Sequence, residues 1–577
     1  MRKRQSFLQG ALILMAATVA VKLVGALFKI PLSNALGGEG MGYFNTAYGL
    51  FAPIYALSVS GFPVAVSRMV AEQGERGRFR DIRRVLKVSF WLFLLTGLLG
   101  LAVMLVGARP FVALVGNAGA LPAVLAIAPA VFFGCLMSAY RGYYNGLRNM
   151  TPTAVSQITE AVVKLGLGLG LGYAALYFAG REYGERGTVF GRAAGSALEA
   201  QSFSLQYAAA AAVLGITVST AAGLVYLLLR HRIRGDGITK AELAASPAPM
   251  PGEKVLKALI AIAVPVCLGS LVTNLTSLID LASIMNRLGE AIRRDGGMVF
   301  AMYEGLLPAG MGTGALPNYL YGAQSFAVNV FNLVPSLAAA LGVSALPSVT
   351  AAWTRGNRAE IGRSVESVLR ITALLSFPAG IGLSVLAKPV LLLLYGSRPQ
   401  EAMIAAPVLR LMGIAAILVS LSSTIGSMLQ AVGRQRLPVY FMLIGAGVKL
   451  SLNFFLVAMP QVNIQGAPVG SLCCYSCMVV LGVIGLCRST GVRLRVGSVF
   501  LRPGAAALLC GGGAYAAYGL LDGRCPLAVS VGGSIACGGV IYLVALVLLR
   551  GVEKSDLMML PKGEKIAKLL AKHRLIG

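Results

Sequence analysis

Residues 8–30 read LQGALILMAATVAVKLVGALFKI, a run in which only Lys22 and Lys29 carry charge. A bilayer core about 30 Å thick takes roughly 20 apolar residues as a helix, the form in which every backbone amide finds its partner inside the segment. The run is long enough to cross. It follows Arg2, Lys3 and Arg4 as a signal peptide would, yet it is too long, holds two lysines and reaches no convincing small-residue cleavage site. It therefore reads as a retained first helix.

Stretches of the same kind recur near 44–67, 86–107, 120–145, 153–179, 203–229, 257–285, 319–351, 367–394, 402–432, 438–458, 466–487, 504–521 and 526–549. Composition agrees, with 57% hydrophobic residues, 12% charged residues and a mean hydropathy of +0.77, which leaves too little polar surface to cover a soluble globule. The expected fold is an all-α polytopic membrane protein with about fourteen transmembrane helices.

The net charge of +28 follows from topology. With these spans, 35 of the 50 Lys and Arg residues fall in alternate loops, about 10 in the opposite loops and 5 within spans. The positive-inside rule then predicts both termini on the cytoplasmic side of a cell membrane, and no nucleic-acid partner is needed to explain the basicity. Eight of the nine cysteines fall in apolar segments without zinc spacing and read as packing residues. The histidines, His231 and His573, lie in basic segments, and no phosphate loop, nucleophile elbow or metal-ligand cluster accompanies them. An enzyme is not expected, nor a cofactor.

The second half repeats the first at offsets of about 279 to 286 residues. Gly61-Phe62-Pro63 and Val85-Leu86-Lys87 match Ala345-Leu346-Pro347 and Val368-Leu369-Arg370. Ala108-Arg109-Pro110-Phe111 matches Ala387-Lys388-Pro389-Val390. Asn145-Gly146-Leu147-Arg148 leads through Pro152 to Val163-Lys164-Leu165, as Gln430-Ala431-Val432-Gly433-Arg434 leads through Pro438 to Val448-Lys449-Leu450. Each copy holds six spans, an even number, so the copies are parallel repeats. The expected organisation is an N-terminal six-helix lobe over 1–230, a basic cytoplasmic linker over 231–256, a C-terminal six-helix lobe over 257–487, two further helices over 488–550 and a basic cytoplasmic tail over 551–577.

Charges within spans are costly, about 2.5–3.5 kcal/mol each at a helix centre, and persist where they face protein or water. Span 1 sets Thr18, Lys22 and Lys29 near one face; Lys29 could snorkel, but Lys22 lies too deep. Span 5 places Gln157, Glu160 and Lys164 in one stripe, with Glu four residues before Lys in the favourable ion-pair order. Span 7 aligns Thr273, Ser277 and Asp280, and span 8 aligns Ser325, Asn329, Asn332 and Ser336. Arg410 and Lys449 complete the set. Wet faces on spans 1, 7 and 8 point to a shared aqueous cavity, and the excess of cations over Glu160 and Asp280 favours an anionic ligand such as phosphate or pyrophosphate. The candidate substrate-binding cations are Lys22, Lys29, Arg410 and Lys449; the polar or coupling residues are Glu160, Lys164, Asp280, Asn329 and Asn332.

At Lys22-Leu23-Val24-Gly25-Ala26-Leu27-Phe28-Lys29-Ile30-Pro31-Leu32 and Leu36-Gly37-Gly38-Glu39-Gly40-Met41-Gly42 the chain resembles the stage V sporulation protein B type of polysaccharide flippase. That type is part of the multidrug/oligosaccharidyl-lipid/polysaccharide exporter superfamily. Leu57–Pro63 with its Gly61-Phe62-Pro63, Ile158-Thr159-Glu160 with Lys164, Leu278-Ile279-Asp280, Tyr321-Gly322 and Leu429-Gln430-Ala431-Val432-Gly433-Arg434 extend the resemblance over nearly the full length. The resemblance implies two lobes around a central cavity that alternates its access to flip a polyprenyl-pyrophosphate-linked saccharide, lipid II being the leading candidate. It also implies that Lys22 and Lys29 line that cavity and that spans 13 and 14 help to form a groove for the lipid tail. The chain departs from the related lipid II flippases in having Lys rather than Arg at 22 and no basic residue within span 8. A cation-coupled multidrug exporter of the same superfamily is the alternative, with Asp280 and Glu160 as coupling sites; a non-transporting envelope-assembly scaffold is the third. Sodium, a proton and the membrane potential are the candidate energy sources, and cell-wall synthesis proteins the candidate partners beside membrane lipids.

Overall fold

The computed structural model describes residues 7–59, 61–336, 338, 349–350, 353, 355, 358–492, 494–549 and 551. Arg2-Lys3-Arg4, Ala345-Leu346-Pro347, the tail 552–577 and the side chains of Thr273 and Ser277 lie outside the described residues.

The chain runs through α1 (Phe7–Val59), α2 (Gly61–Glu75), α3 (Phe79–Val115), α4 (Leu121–Gly146), α5 (Thr151–Val163), α6 (Leu169–Arg186) and α7 (Ala197–Arg234). Then come α8 (Lys240–Ala245), α9 (Gly252–Met302), α10 (Leu316–Phe331), α11 (Arg358–Val385), α12 (Ala387–Leu394) and α13 (Pro399–Ala431). The last helices are α14 (Arg436–Leu456), α15 (Gly466–Thr490), α16 (Arg502–Leu521) and α17 (Leu527–Leu548). Every predicted span falls mainly on helix where it is described, with breaks at Asn332 and at Leu386 and at a few span ends. Among the described residues eleven stretches are long and apolar enough to cross a membrane, and one of them, Ile13–Glu75, has 63 residues, more than two crossings' worth. That stretch bends at Gly37, whose φ of 62° only glycine adopts readily, so α1 holds two helical segments; about fourteen spans is consistent with the count.

Two compact units emerge, one of Met1–Asn286 with Gly310–Gly322, the other of Arg287–Ala309 with Ala323–Gly577. This division differs from the lobes drawn above at residue 257. The first part of α9 packs on the N-terminal unit, where a Cβ on Gly61 would lie 2.5 Å from the Ala263 carbonyl and Gly49 faces Leu281. The linker between the lobes is also more ordered than its Ala, Pro and charge content suggests. Thr239 and Glu242 close a capping box on α8, Arg80 Nε donates to the Leu243 carbonyl at 2.9 Å, and the Met250 amide donates to Asp81 at 2.6 Å.

Within the N-terminal unit small residues let helices meet backbone to backbone. A single π-turn, Lys164–Gly168, separates α5 from α6, and Gly168 there meets Gly215 of α7 and the Phe28 ring of α1. An antiparallel hairpin of β1 (Thr188–Val189) and β2 (Arg192–Ala193) follows α6, its turn held by Glu182, which accepts from Thr188 Oγ1 and the Phe190 and Gly191 amides. No apolar period signals so short a pairing.

A second network gathers the glycines of Leu36–Gly42 with Tyr321-Gly322. Gly322 sits on the Gly38 carbonyl, Gly42 on Asn318, and Asn318 Nδ2 donates to the Glu39 carbonyl at 3.0 Å. Asn117 Nδ2 donates to Asn318 Oδ1 at 2.8 Å, while Tyr43 and Ser202 donate to the Glu39 carboxylate at 2.7 and 2.6 Å. A methyl on Gly322 has no room against that backbone. Gly322→Ala is expected to cost about 1–3 kcal/mol and lower the thermal midpoint of the detergent-solubilised protein; an unchanged midpoint would place the two helices further apart.

The repeat shows in the packing inside each unit. Gly97 of α3 meets Phe132 and Cys135 of α4, and Gly380 of α11, 283 residues on, meets the Gly413 carbonyl of α13. In the C-terminal unit α16 and α17 bury Ala506, Ala507, Cys510, Tyr542, Ala545 and Leu546 together against α11, where the Tyr542 hydroxyl donates to the Leu374 carbonyl at 2.7 Å.

Candidate functional site

The N-terminal unit concentrates its intramembrane charge where α1, α4, α5 and α7 meet. Apolar stripes on these helices bury one another, and the 3.6-residue period then carries Ser156, Glu160 and Lys164 inward along one side of α5. Glu160 is paired there, but with Arg141 rather than with Lys164: Arg141 Nη2 donates to Glu160 Oε2 at 3.0 Å, with 13% and 25% of the two side chains exposed. Arg141 Nε also donates to Ser156 Oγ at 2.9 Å, and Thr220 of α7 donates to Glu160 Oε1 at 3.4 Å. The hydroxyls of Tyr48 and Tyr55 lie within electrostatic reach of Glu160, and Gly134 gives the Tyr55 ring its room.

This corrects two sequence expectations. The i,i+4 order of Glu160 and Lys164 suggested an intrahelical pair, yet a guanidinium that offers a second donor to Ser156 forms the better-held contact. Arg141, left out of the intramembrane charges above, lies within α4 and pairs with Glu160 there. Arg370 is a second such case, buried to 2% exposure in α11.

Lys164 continues the stripe one turn beyond Glu160. Its Nζ stands over the Phe28 ring at 5.5 Å, and it lies close enough to Lys29 for the two charges to repel. Lys29 is half-buried, whereas Lys22, roughly 10 Å earlier along α1, is exposed. Asp280 is half-buried on α9 within reach of the Tyr321 hydroxyl. The structure thus brings Lys29, Lys164 and Glu160 together, joined by Arg141.

The remaining candidates belong to the C-terminal unit. Asn329 of α10 and Lys449 of α14 are half-buried, and Asn332 and Arg410 are exposed. The Arg410 carbonyl accepts from Ser384 at 2.5 Å, which joins α13 to α11. Gly470 of α15 packs on the backbone beside Lys449, where an added Cβ would lie 3.3 Å from its carbonyl. Among the described residues no cluster of three metal-ligating side chains occurs.

Residues 7–179 match the model of polysaccharide biosynthesis proteins, and residues 311–455 match the MatE model. The lipid II flippase MurJ of Bacillus subtilis is 25% identical over 85% of this chain and 84% of its own length. Stage V sporulation protein B of the same organism is 23% identical over 97% of this chain and 98% of its own. A solved lipid II flippase MurJ in an inward closed conformation superposes with a TM-score of 0.61 at 14% identity, over 93% of this chain and 98% of that one. The chain is homologous to these flippases and carries both domains. An inward-facing multidrug resistance MATE family transporter of the MOP superfamily shares the fold as well, with a TM-score of 0.58 at 16% identity over 84% of this chain and 98% of that one. The helices and these resemblances make the chain a multi-pass bacterial membrane protein, and the relatives it resembles are transporters rather than enzymes.

Proposed function

We propose that the chain flips a polyprenyl-pyrophosphate-linked saccharide, lipid II or another cell-envelope precursor, from the cytoplasmic to the outer leaflet by alternating access, with both termini in the cytoplasm. One observation carries the reading: where α1, α4, α5 and α7 meet, the N-terminal unit holds Lys29, Lys164 and Arg141 with the carboxylate of Glu160, and Glu160 is already paired with Arg141. A pyrophosphate brings two or more negative charges, which such a surplus attracts and which two neighbouring ammonium groups bind as point charges. The named activity of the MurJ relative supports the same substrate class. In this reading Lys22 belongs with the cations of the N-terminal unit, while Arg410 and Lys449 are candidate anion contacts of the C-terminal unit and its Asn329 and Asn332 candidate donors to sugar hydroxyls.

The MatE match favours a second reading, a cation-coupled exporter of cationic drugs. Its coupling carboxylate would be Asp280, because Glu160 is tied to Arg141 and Thr220. In either reading sodium, a proton or the membrane potential drives transport, the last supplying about 2.3 kcal/mol per charge per 100 mV. Mass spectrometry of lipids copurified with the protein separates the readings. A bound polyprenyl pyrophosphate sugar is the expected result; its absence from protein that still confers drug resistance would move the assignment to the exporter.

A further inference from the structure

Arg83, Leu86, Lys87 and Phe90 stand at spacings of three, four and seven on one face of α3, and they wall a cavity of about 500 Å³ in the N-terminal unit. Tyr140 of α4, His231 of α7 and the turn Gly235-Asp236 close it. The turn is shaped by Gly235 and Gly237, both at positive φ, and it brings the Asp236 carboxylate against Arg83.

The carboxylate is fully engaged. Arg83 Nε and Nη2 reach it at 3.0 and 3.3 Å, the Tyr143 hydroxyl at 3.0 Å and the Ile238 amide at 2.9 Å. Burial alone would push this carboxyl up, but those four donors outweigh it and hold Asp236 below its ordinary value of 3.8, so it is ionised at neutral pH. His231 Nδ1 is spoken for by the Tyr144 hydroxyl at 3.0 Å, and Tyr140 stacks edge-on to both His231 and Phe90. Lys87 is exposed into this space, and no ion pair to it occurs among the described residues.

In the other repeat Arg370, 283 residues after Lys87, is buried, and Glu366, 283 residues after Arg83, accepts from Arg495 at 3.0 and 2.7 Å. The cavity lies within the N-terminal unit. It has a cationic mouth at Lys87 and an apolar wall at Leu86, Phe90 and Tyr140, and α3 enters its apolar span at this level.

We infer that this cavity binds a phosphate ester joined to an apolar body, with Lys87 holding the phosphate and Phe90 and Tyr140 packing on the body. An anionic lipid of the adjacent leaflet and a soluble phosphorylated solute share that chemistry. The site lies apart from Lys29 and Lys164 and does not depend on what the transporter carries.

Native mass spectrometry of the full chain titrated with phosphatidylglycerol, phosphatidylcholine and glycerol 3-phosphate tests it. The expected result is one tight phosphatidylglycerol, weakened about fivefold by Lys87→Gln, retained in Lys87→Arg and unaffected by Arg434→Gln, a basic turn residue elsewhere. Lys87-dependent binding of glycerol 3-phosphate without phosphatidylglycerol would support the same site with a soluble source. The inference is overturned if Lys87→Gln binds all three as the wild type does, or if Arg434→Gln loses as much as Lys87→Gln.

Discussion

Lys29→Ala, expressed in cells depleted of every other flippase, is expected to leave lipid-linked precursor on the cytoplasmic leaflet, with translocation reduced at least about tenfold. Each hydrogen bond to a charged group is worth about 1.5–3 kcal/mol, and losing one at a pyrophosphate costs roughly ten- to a hundredfold. The same exchange at Lys164 is expected to act in the same direction, because the two ammonium groups are close enough to repel and a bound dianion relieves that repulsion. Protein level in the membrane must stay at that of the wild type, which separates lost binding from lost folding. Normal translocation by Lys29→Ala at normal abundance would remove that lysine from the substrate path.

Arg141→Ala is expected to be the most damaging single change to stability, by about 3 kcal/mol. It strands the Glu160 carboxylate among α1, α4, α5 and α7 with only the weak 3.4 Å contact from Thr220, and removing one partner of a buried pair costs more than removing both. The double variant Arg141→Met with Glu160→Met should therefore recover much of the thermal stability lost in Arg141→Ala. If the double variant unfolds at a still lower temperature than the single one, the pair contributes net attraction rather than mutual neutralisation.

The membrane spans were legible because a helix in lipid must be both long and apolar, a requirement written directly into residues such as 8–30 and 526–549. Lys29, Lys164 and Glu160 stood out for the same reason: charge in an apolar run is costly, and its position is conspicuous. Arg141 escaped because it sits near the end of its span, where a buried arginine and one that reaches the interface look alike in sequence. Its partner is nineteen residues away on another helix, so no spacing rule joins them.

The glycines of Leu36–Gly42 and Tyr321-Gly322 were visible as a resemblance, but their physical role needed coordinates. Gly38, Gly42 and Gly322 are where two backbones nearly touch, a contact made between segments some 280 residues apart. The π-turn at Lys164–Gly168 was invisible for a related reason, since KLGLG carries no local signal beyond two glycines, of which Gly168 turns out to meet both Phe28 and Gly215. Arg83 and Lys87 entered the sequence reading only as members of the loop charge count, and nothing in a count reveals a cavity between them.

The most direct test of the proposed function is purified protein in liposomes loaded with a fluorescent polyprenyl-pyrophosphate saccharide, read by quenching from outside. Wild-type protein is expected to bring the inner-leaflet label into reach of the quencher, and Lys29→Ala to leave it protected. Label that stays protected with the wild type, in liposomes where the same protein extrudes a cationic dye, would contradict the flippase assignment.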